Sequence, residues 1–162
     1  MAEAAENGTR RVEAPRGVHT SRVDEKGRLK LPAAVKEYLD GLEEKTLFVT
    51  SLDLRTVRIY PISTWRANEN LFAGETEDAE EAAQLNFLAQ DMGHEAEVDS
   101  QARLLLPADL RRMLNLEGQP VYMNSQGTRI DVYDKATYEE QRAKVRALAV
   151  ERLRRFEKKG LK

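Results

Sequence analysis

Two clusters in this sequence could do chemistry: Asp24 with Arg28, and Asp99 with Arg103, each an Asp-x-x-x-Arg. The aspartate suits the first position of a tight turn, and the residue before the arginine is Gly27 in one copy and Ala102 in the other. The arginine then opens an extended segment. A planar guanidinium fork on such a projection can hold a phosphate or the O6/N7 edge of a guanine. The same residues also fit a turn closed by an ordinary surface ion pair, which is worth little. The first copy adds Arg22, Lys26, Gly27 and Lys30, a compact cationic loop able to approach phosphates closely. The second copy reads Ser100-Gln101-Ala102 and lacks both the Lys and the Gly, so if DNA is the partner the first is expected to dominate.

Other chemistry is scarce. The sequence has no Gly-x-x-x-x-Gly-Lys-[Ser/Thr], no Gly-x-Gly-x-x-Gly, no His-Glu-x-x-His and no cysteine. His19 and His94, the two histidines, occupy equivalent positions. They fit one shared strand environment better than a metal site, since no dense set of ligands accompanies them. Tyr60, Trp65, Tyr133 and Tyr138 fit core or interface positions better than a base-stacking platform. No enzyme, cofactor, metal or small-molecule substrate is expected.

The elements that carry the clusters come in duplicate. Residues 19–33 and 94–108 match at an offset of 75, with His, Val, Asp, Arg, Leu, Leu, Pro and Ala repeated in order. Tyr60/Tyr133 and Trp65/Tyr138 continue the match at an offset of 73. Duplication predicts two copies of one supersecondary unit. In each copy an extended segment and the Asp turn lead to an alternating strand, Arg28-Leu29-Lys30-Leu31 in the first, with its leucines inward. Pro32 and Pro107 then open helices, with Val35, Tyr38, Leu39 and Leu42 inward in the first and Leu110, Met113 and Leu114 in the second. Further strands are expected at 46–50, 56–60, 120–124 and 129–133. Ser63 is read as the cap of a short helix, a helix is expected at about 76–91, and Asp134 is read as the cap of one long helix over 135–158. The expected fold class is α+β: one pseudo-symmetric domain of two units at 16–72 and 93–134, a linking acidic helix at 73–92, a basic C-terminal helix at 135–162, and a disordered tail at 1–15 in which Arg10 and Arg11 are solvated.

The formal net charge is −2, but residues 67–102 carry ten acidic and no basic side chains, while residues 139–162 carry nine basic and four acidic ones. A basic face can therefore coexist with an acidic total. No apolar run approaches membrane-span length, and without cysteine or an apolar leader a cytoplasmic location is expected.

Arg16-Gly17, V-D-E-K-G-R-L-K-L-P, F-V-T-S at 48–51, V-R-I-Y-P at 57–61 and Trp65 resemble the first half of the MraZ family. Glu95, Asp99, Arg103, L-L-L-P-A-D-L-R at 104–111 and D-V-Y-D at 131–134 resemble its second half, and the resemblance covers roughly 16–145. It implies two tandem swapped-hairpin, β-barrel-like units of the AbrB/SpoVT type in one chain. It further implies a nucleoid-associated repressor, a ring-shaped homo-oligomer on short tandem direct repeats of double-stranded DNA ahead of a division and cell-wall gene cluster. Carried over, Arg28, Arg16 and Arg103 match the family's motif arginines, and Lys26 and Gly27 match its loop. Ala102 stands where the family has Gly, so the second turn is expected to differ. The alternative is a protein-interaction, antitoxin-like or scaffold ring of the same fold without specific DNA binding.

Overall fold

A computed structural model describes residues 12–162. It is an α+β structure built on antiparallel strands. The elements in order are β1 His19–Arg22, β2 Arg28–Lys30, α1 Ala33–Asp40, β3 Leu47–Thr50, β4 Val57–Pro61, α2 Ile62–Gly74, α3 Ala79–Met92, β5 His94–Ala96, β6 Arg103–Leu105, α4 Ala108–Met113, β7 Pro120–Gln126, β8 Arg129–Asp134, α5 Lys135–Ala147 and α6 Ala149–Glu157. The chain thus runs strand, strand, helix, strand, strand, helix twice over, with α3 and α6 added.

The two halves trade strands. Six strands form one sheet in the order β1-β7-β8-β4-β3-β5, so the first strand of each half pairs with the third strand of the other. The second strands, β2 and β6, pair as a separate two-stranded ribbon. A pseudo-twofold axis passes through both pairings. In the ribbon Leu29 faces Leu104, its own repeat equivalent; in the sheet Arg58 faces Asp131, flanked by Val57–Val132 and Ile59–Ile130. Neither half can complete its sheet alone.

Alternation along these strands divides side chains between two faces. Leu47, Val49, Val57, Ile59, Val121, Met123, Ile130 and Val132 point to one face and are buried against Leu29, Leu31, Leu104 and Leu106 of the ribbon and Val35, Leu39 and Leu110 of α1 and α4. Each fully buried leucine contributes about 1.5–3 kcal/mol. This core clamps the ribbon to the sheet.

The opposite face carries aromatic anchors related by the repeat. Phe48 stacks on Trp65 at 4.6 Å, with Tyr60 at 5.2 Å from the indole, and these hold α2. Tyr122 stacks on Tyr138 at 4.2 Å, with Tyr133 at 6.4 Å, and these hold α5. The four repeat aromatics are therefore packing residues, as their spacing suggests.

Several local expectations differ from the structure. Ser63 lies inside the first turn of α2 and its hydroxyl donates to Glu44, while Pro61 precedes the helix. The α3 entry is closed by the carboxylate of Glu75, which accepts from the amides of Asp78, Glu77 and Thr76; those bonds, Asp78's first, hold its carboxyl below the ordinary value. Asp134 does cap α5, accepting from Thr137 N at 2.7 Å. The C-terminal helix is not continuous: Leu148, at φ −101° and ψ 0°, separates α5 from α6 with neither Pro nor Gly at the break. Met113 is half exposed rather than inward. At the end of the expected tail, Ala14 packs on the main core and Val12 touches the Gly41 backbone, while Val12 and Glu13 stay exposed. Residues 1–11, Arg10 and Arg11 among them, lie outside the described residues.

Candidate nucleic-acid interface

The two turns share one geometry. In the first, Asp24 Oδ1 accepts from the amides of Lys26 (3.0 Å) and Arg28 (2.9 Å), Gly27 N donates to Asp24 O (3.0 Å), and Arg28 Nε donates to Asp24 Oδ2 at 2.7 Å. In the second, Asp99 Oδ1 accepts from Gln101 and Arg103 N, both 2.9 Å, Ala102 N donates to Asp99 O (3.1 Å), and Arg103 Nε donates to Asp99 Oδ2 at 2.9 Å. The Arg28 amide, ahead of its guanidinium, holds the Asp24 carboxyl below the ordinary value. For Asp99 desolvation pushes upward, but the amides of Arg103 and Gln101 and the Arg103 guanidinium outweigh it and its carboxyl is also lowered.

The second turn does not differ from the first. Ala102 takes φ +59°, the counterpart of Gly27 at +82°. An alanine in that region costs about 1–2 kcal/mol, and the four bonds around Asp99 sustain it. Gly27 is a glycine for an added reason. A Cβ there would lie 2.4 Å from Arg111 Cδ and Nε. Arg111, on α4, is held over Gly27 by Leu106 O (2.9 Å) and Glu117 (2.8 Å). Its repeat counterpart on α1 is Lys36, whose ammonium is turned to Asp40.

The turns stand at opposite ends of the ribbon. Leu106 N donates to Gly27 O and Leu31 N to Ala102 O, so the ladder runs on into both. With Leu29 and Leu104 inward, the outer face presents Arg28 opposite Leu105 and Lys30 opposite Arg103. The two arginine Cα atoms are then roughly 8 Å apart, two residues along and one strand across. Their side chains are 31% and 25% exposed, and each is held by Nε alone, so its Nη edge makes no hydrogen bond to a described residue. A fork held from behind in this way is preorganised for a bidentate partner.

The expected site residues therefore separate. Arg28, Lys30 and Arg103 share the ribbon face, and exposed Lys26 stands on the turn beside it. Lys30 Nζ also donates to Gln101 O at 2.6 Å, tying the ribbon to the far turn. Gly27, also expected at the site, is buried beneath Arg111. Arg22 belongs to β1 and donates to Gly118 O (2.8 Å); Arg16 is exposed ahead of β1, paired with Glu13 at 3.2 Å. Neither lies on the ribbon. Arg111 closes the L-L-L-P-A-D-L-R stretch, but its place over Gly27 was not read from the sequence. Among the described residues no group of three or more His, Cys, Asp or Glu could hold a metal ion, and no helix is long and apolar enough to cross a membrane.

A family model described as "MraZ protein, putative antitoxin-like" matches residues 92–156. A protein of Acidobacterium capsulatum named Transcriptional regulator MraZ is 38% identical over 113 residues, 68% of this chain and 76% of the relative. The chain belongs to the MraZ family. Relatives of the same name in Shewanella loihica and Nitrosococcus oceani are 32% identical over 129 residues and 30% identical over 144, covering 78% and 86% of this chain and 83% and 94% of the relatives. The family model covers the second turn, Asp99 to Arg103, and most of α5 and α6.

Proposed function

We propose that the chain is a sequence-specific DNA-binding regulator of transcription in the cytoplasm, associated with the nucleoid, and that the ribbon is its reading element. The relatives' name supports regulation. One observation carries the DNA reading: two buttressed arginines on the outer face of a two-stranded ribbon, a shape that the major groove admits. In this reading the exchanged strands are the swapped hairpins of the AbrB/SpoVT type, and the units at 16–72 and 93–134 act as one binding body, with the acidic helix and the basic C-terminal segment outside it.

The electrostatic surplus of one ribbon is small. Lys26, Arg28, Lys30 and Arg103 face Asp24, Glu25 and Asp99. One arginine–guanine contact supplies about 1–3 kcal/mol of discrimination. Useful affinity then requires several ribbons engaged together, and effective concentration does that work. We therefore place the chain in a ring-shaped homo-oligomer on tandem short direct repeats, acting as a repressor ahead of a division and cell-wall gene cluster.

Mobility shifts on DNA with one box and with several test this. Arg28→Ala should weaken binding to the multi-box DNA by about 10- to 100-fold. Arg103→Ala should cost less, because the turn beside it carries neutral Gln101 where the first turn carries Lys26. Equal affinity for one box and several, or no loss in either variant, would refute the reading. A second reading, an antitoxin-like or scaffold protein that binds another protein, is favoured by the exposed Val150, Leu153 and Phe156 on α6; a pull-down that succeeds where the shift assay fails would select it.

A further inference from the structure

We infer that the cleft over the pseudo-twofold axis, between α2 and α5 on the sheet face opposite the ribbon, is a binding site for a small oxyanion, a phosphate- or carboxylate-bearing metabolite. The aromatic anchors hold α2 over one half of the face and α5 over the other. Between them the sheet turns polar. Arg58, Gln126 and Arg129 line two adjoining grooves there, and the one on the α5 side, about 340 Å³, also takes in Asp131, Gln141 and Lys144.

The charges in this cleft are unevenly paired. Asp131 is 4% exposed, and its carboxylate is occupied by Arg129 Nε at 2.9 Å and by the Tyr133 hydroxyl at 3.3 Å. Arg55 is engaged with Glu140. Asp53 accepts from Ser51 Oγ and from the amides of Arg55 and Thr56. That leaves Arg58 without a carboxylate of its own, although Asp131 is its cross-strand neighbour. Arg58 Nη1 donates to the Tyr60 hydroxyl at 3.0 Å, and Arg58 Nε is buried with no acceptor. A buried guanidinium donor left unmade is costly, and an oxyanion is the partner that its fork geometry matches. Lys144, exposed on α5 at the same groove, adds a second cation without a partner among the described residues. An anion seated in the groove against the Arg58 guanidinium and Lys144 would meet the surplus positive charge there.

Calorimetric and thermal-shift titration of the full chain with inorganic phosphate, and separately with malonate, at constant ionic strength with chloride as the control, tests this. The expected result is saturable binding of at least one anion, with phosphate alone or malonate alone identifying which oxyanion the cleft takes. Arg58→Lys, which keeps the charge but loses the fork, should weaken it roughly tenfold, the loss of one charge-assisted bond. Lys144→Ala, on the exposed face of α5, should weaken it a few-fold and leave folding intact. The Arg28→Ala/Arg103→Ala double variant should bind as the parent does. Responses no greater than chloride's, or binding that is lost in the ribbon variant and unchanged in Arg58→Lys and Lys144→Ala, would overturn the proposal.

Discussion

Replacing Gly27 by alanine tests whether this glycine serves packing rather than DNA contact. At φ +82° the added Cβ incurs about 1–2 kcal/mol of left-handed strain. It would also stand 2.4–2.5 Å from three atoms of the Arg111 side chain, which must leave. Moving Arg111 forfeits its bond to Leu106 O, about 1.5–3 kcal/mol for a charged donor, and a partly exposed pair with Glu117 worth about 0–1 kcal/mol. A stiffer unfolded chain returns about 0.5–1 kcal/mol. The net expectation is a loss of about 2–4 kcal/mol in urea unfolding, read from the midpoint at fixed protein concentration. In an Arg111→Ala background nothing need be displaced, and the same substitution should cost only about 1 kcal/mol. The double-mutant cycle should therefore show about 1.5–3 kcal/mol of coupling between positions 27 and 111. Additive effects, or an alanine at 27 tolerated with Arg111 intact, would refute the reasoning.

Ala102→Gly relieves the same backbone strain with no side chain to displace, and should raise the urea midpoint by up to about 1 kcal/mol of stability; a lowered midpoint would contradict it. Asp24→Asn keeps an acceptor for the turn amides but loses the carboxylate behind Arg28. Simple electrostatics says that removing a negative charge beside DNA tightens binding, whereas an undone buttress weakens it, and we expect weaker binding in a mobility shift. Both Asp24 and Asp99 have carboxyls held below the ordinary 3.8. Their contribution is complete above that value and disappears as pH falls through the lower folded values. Stability measured from pH 5 down to pH 2 should therefore decline less steeply in the Asp24→Asn/Asp99→Asn double variant than in the parent.

Most strands were legible because each carries a short alternating or apolar run bounded by turn residues. The Asp turns, the prolines ahead of α1 and α4, and the Asp134 cap all follow from local chemistry that a sequence displays. What was not legible depends on residues distant in the chain. Nothing local to Gly27 says that Arg111, eighty-four positions later, lies over it. Ala102 was read as a departure from the turn because composition records the missing glycine but not the four hydrogen bonds that hold alanine in its place. The exchange of β1 and β5 between halves leaves no periodic trace either, since a strand's pattern is the same whichever neighbour it joins. The break at Leu148 has no breaker residue to announce it. Met113, half exposed, shows a helical stripe continuing past the surface it packs on.

Two chains related by a true dyad must set the central residue of that pairing against itself: arginine would meet arginine, or aspartate aspartate, and like charges directly opposite are destabilising. Joining the halves covalently lifts that restriction, and Arg58 can face Asp131 where a homodimer could only face its own image. The same freedom lets one turn collect lysine while its twin stays neutral. Fusion thus allows each half to acquire a substitution without imposing it on the other, so a single polypeptide can keep the architecture of a dimer and still become lopsided.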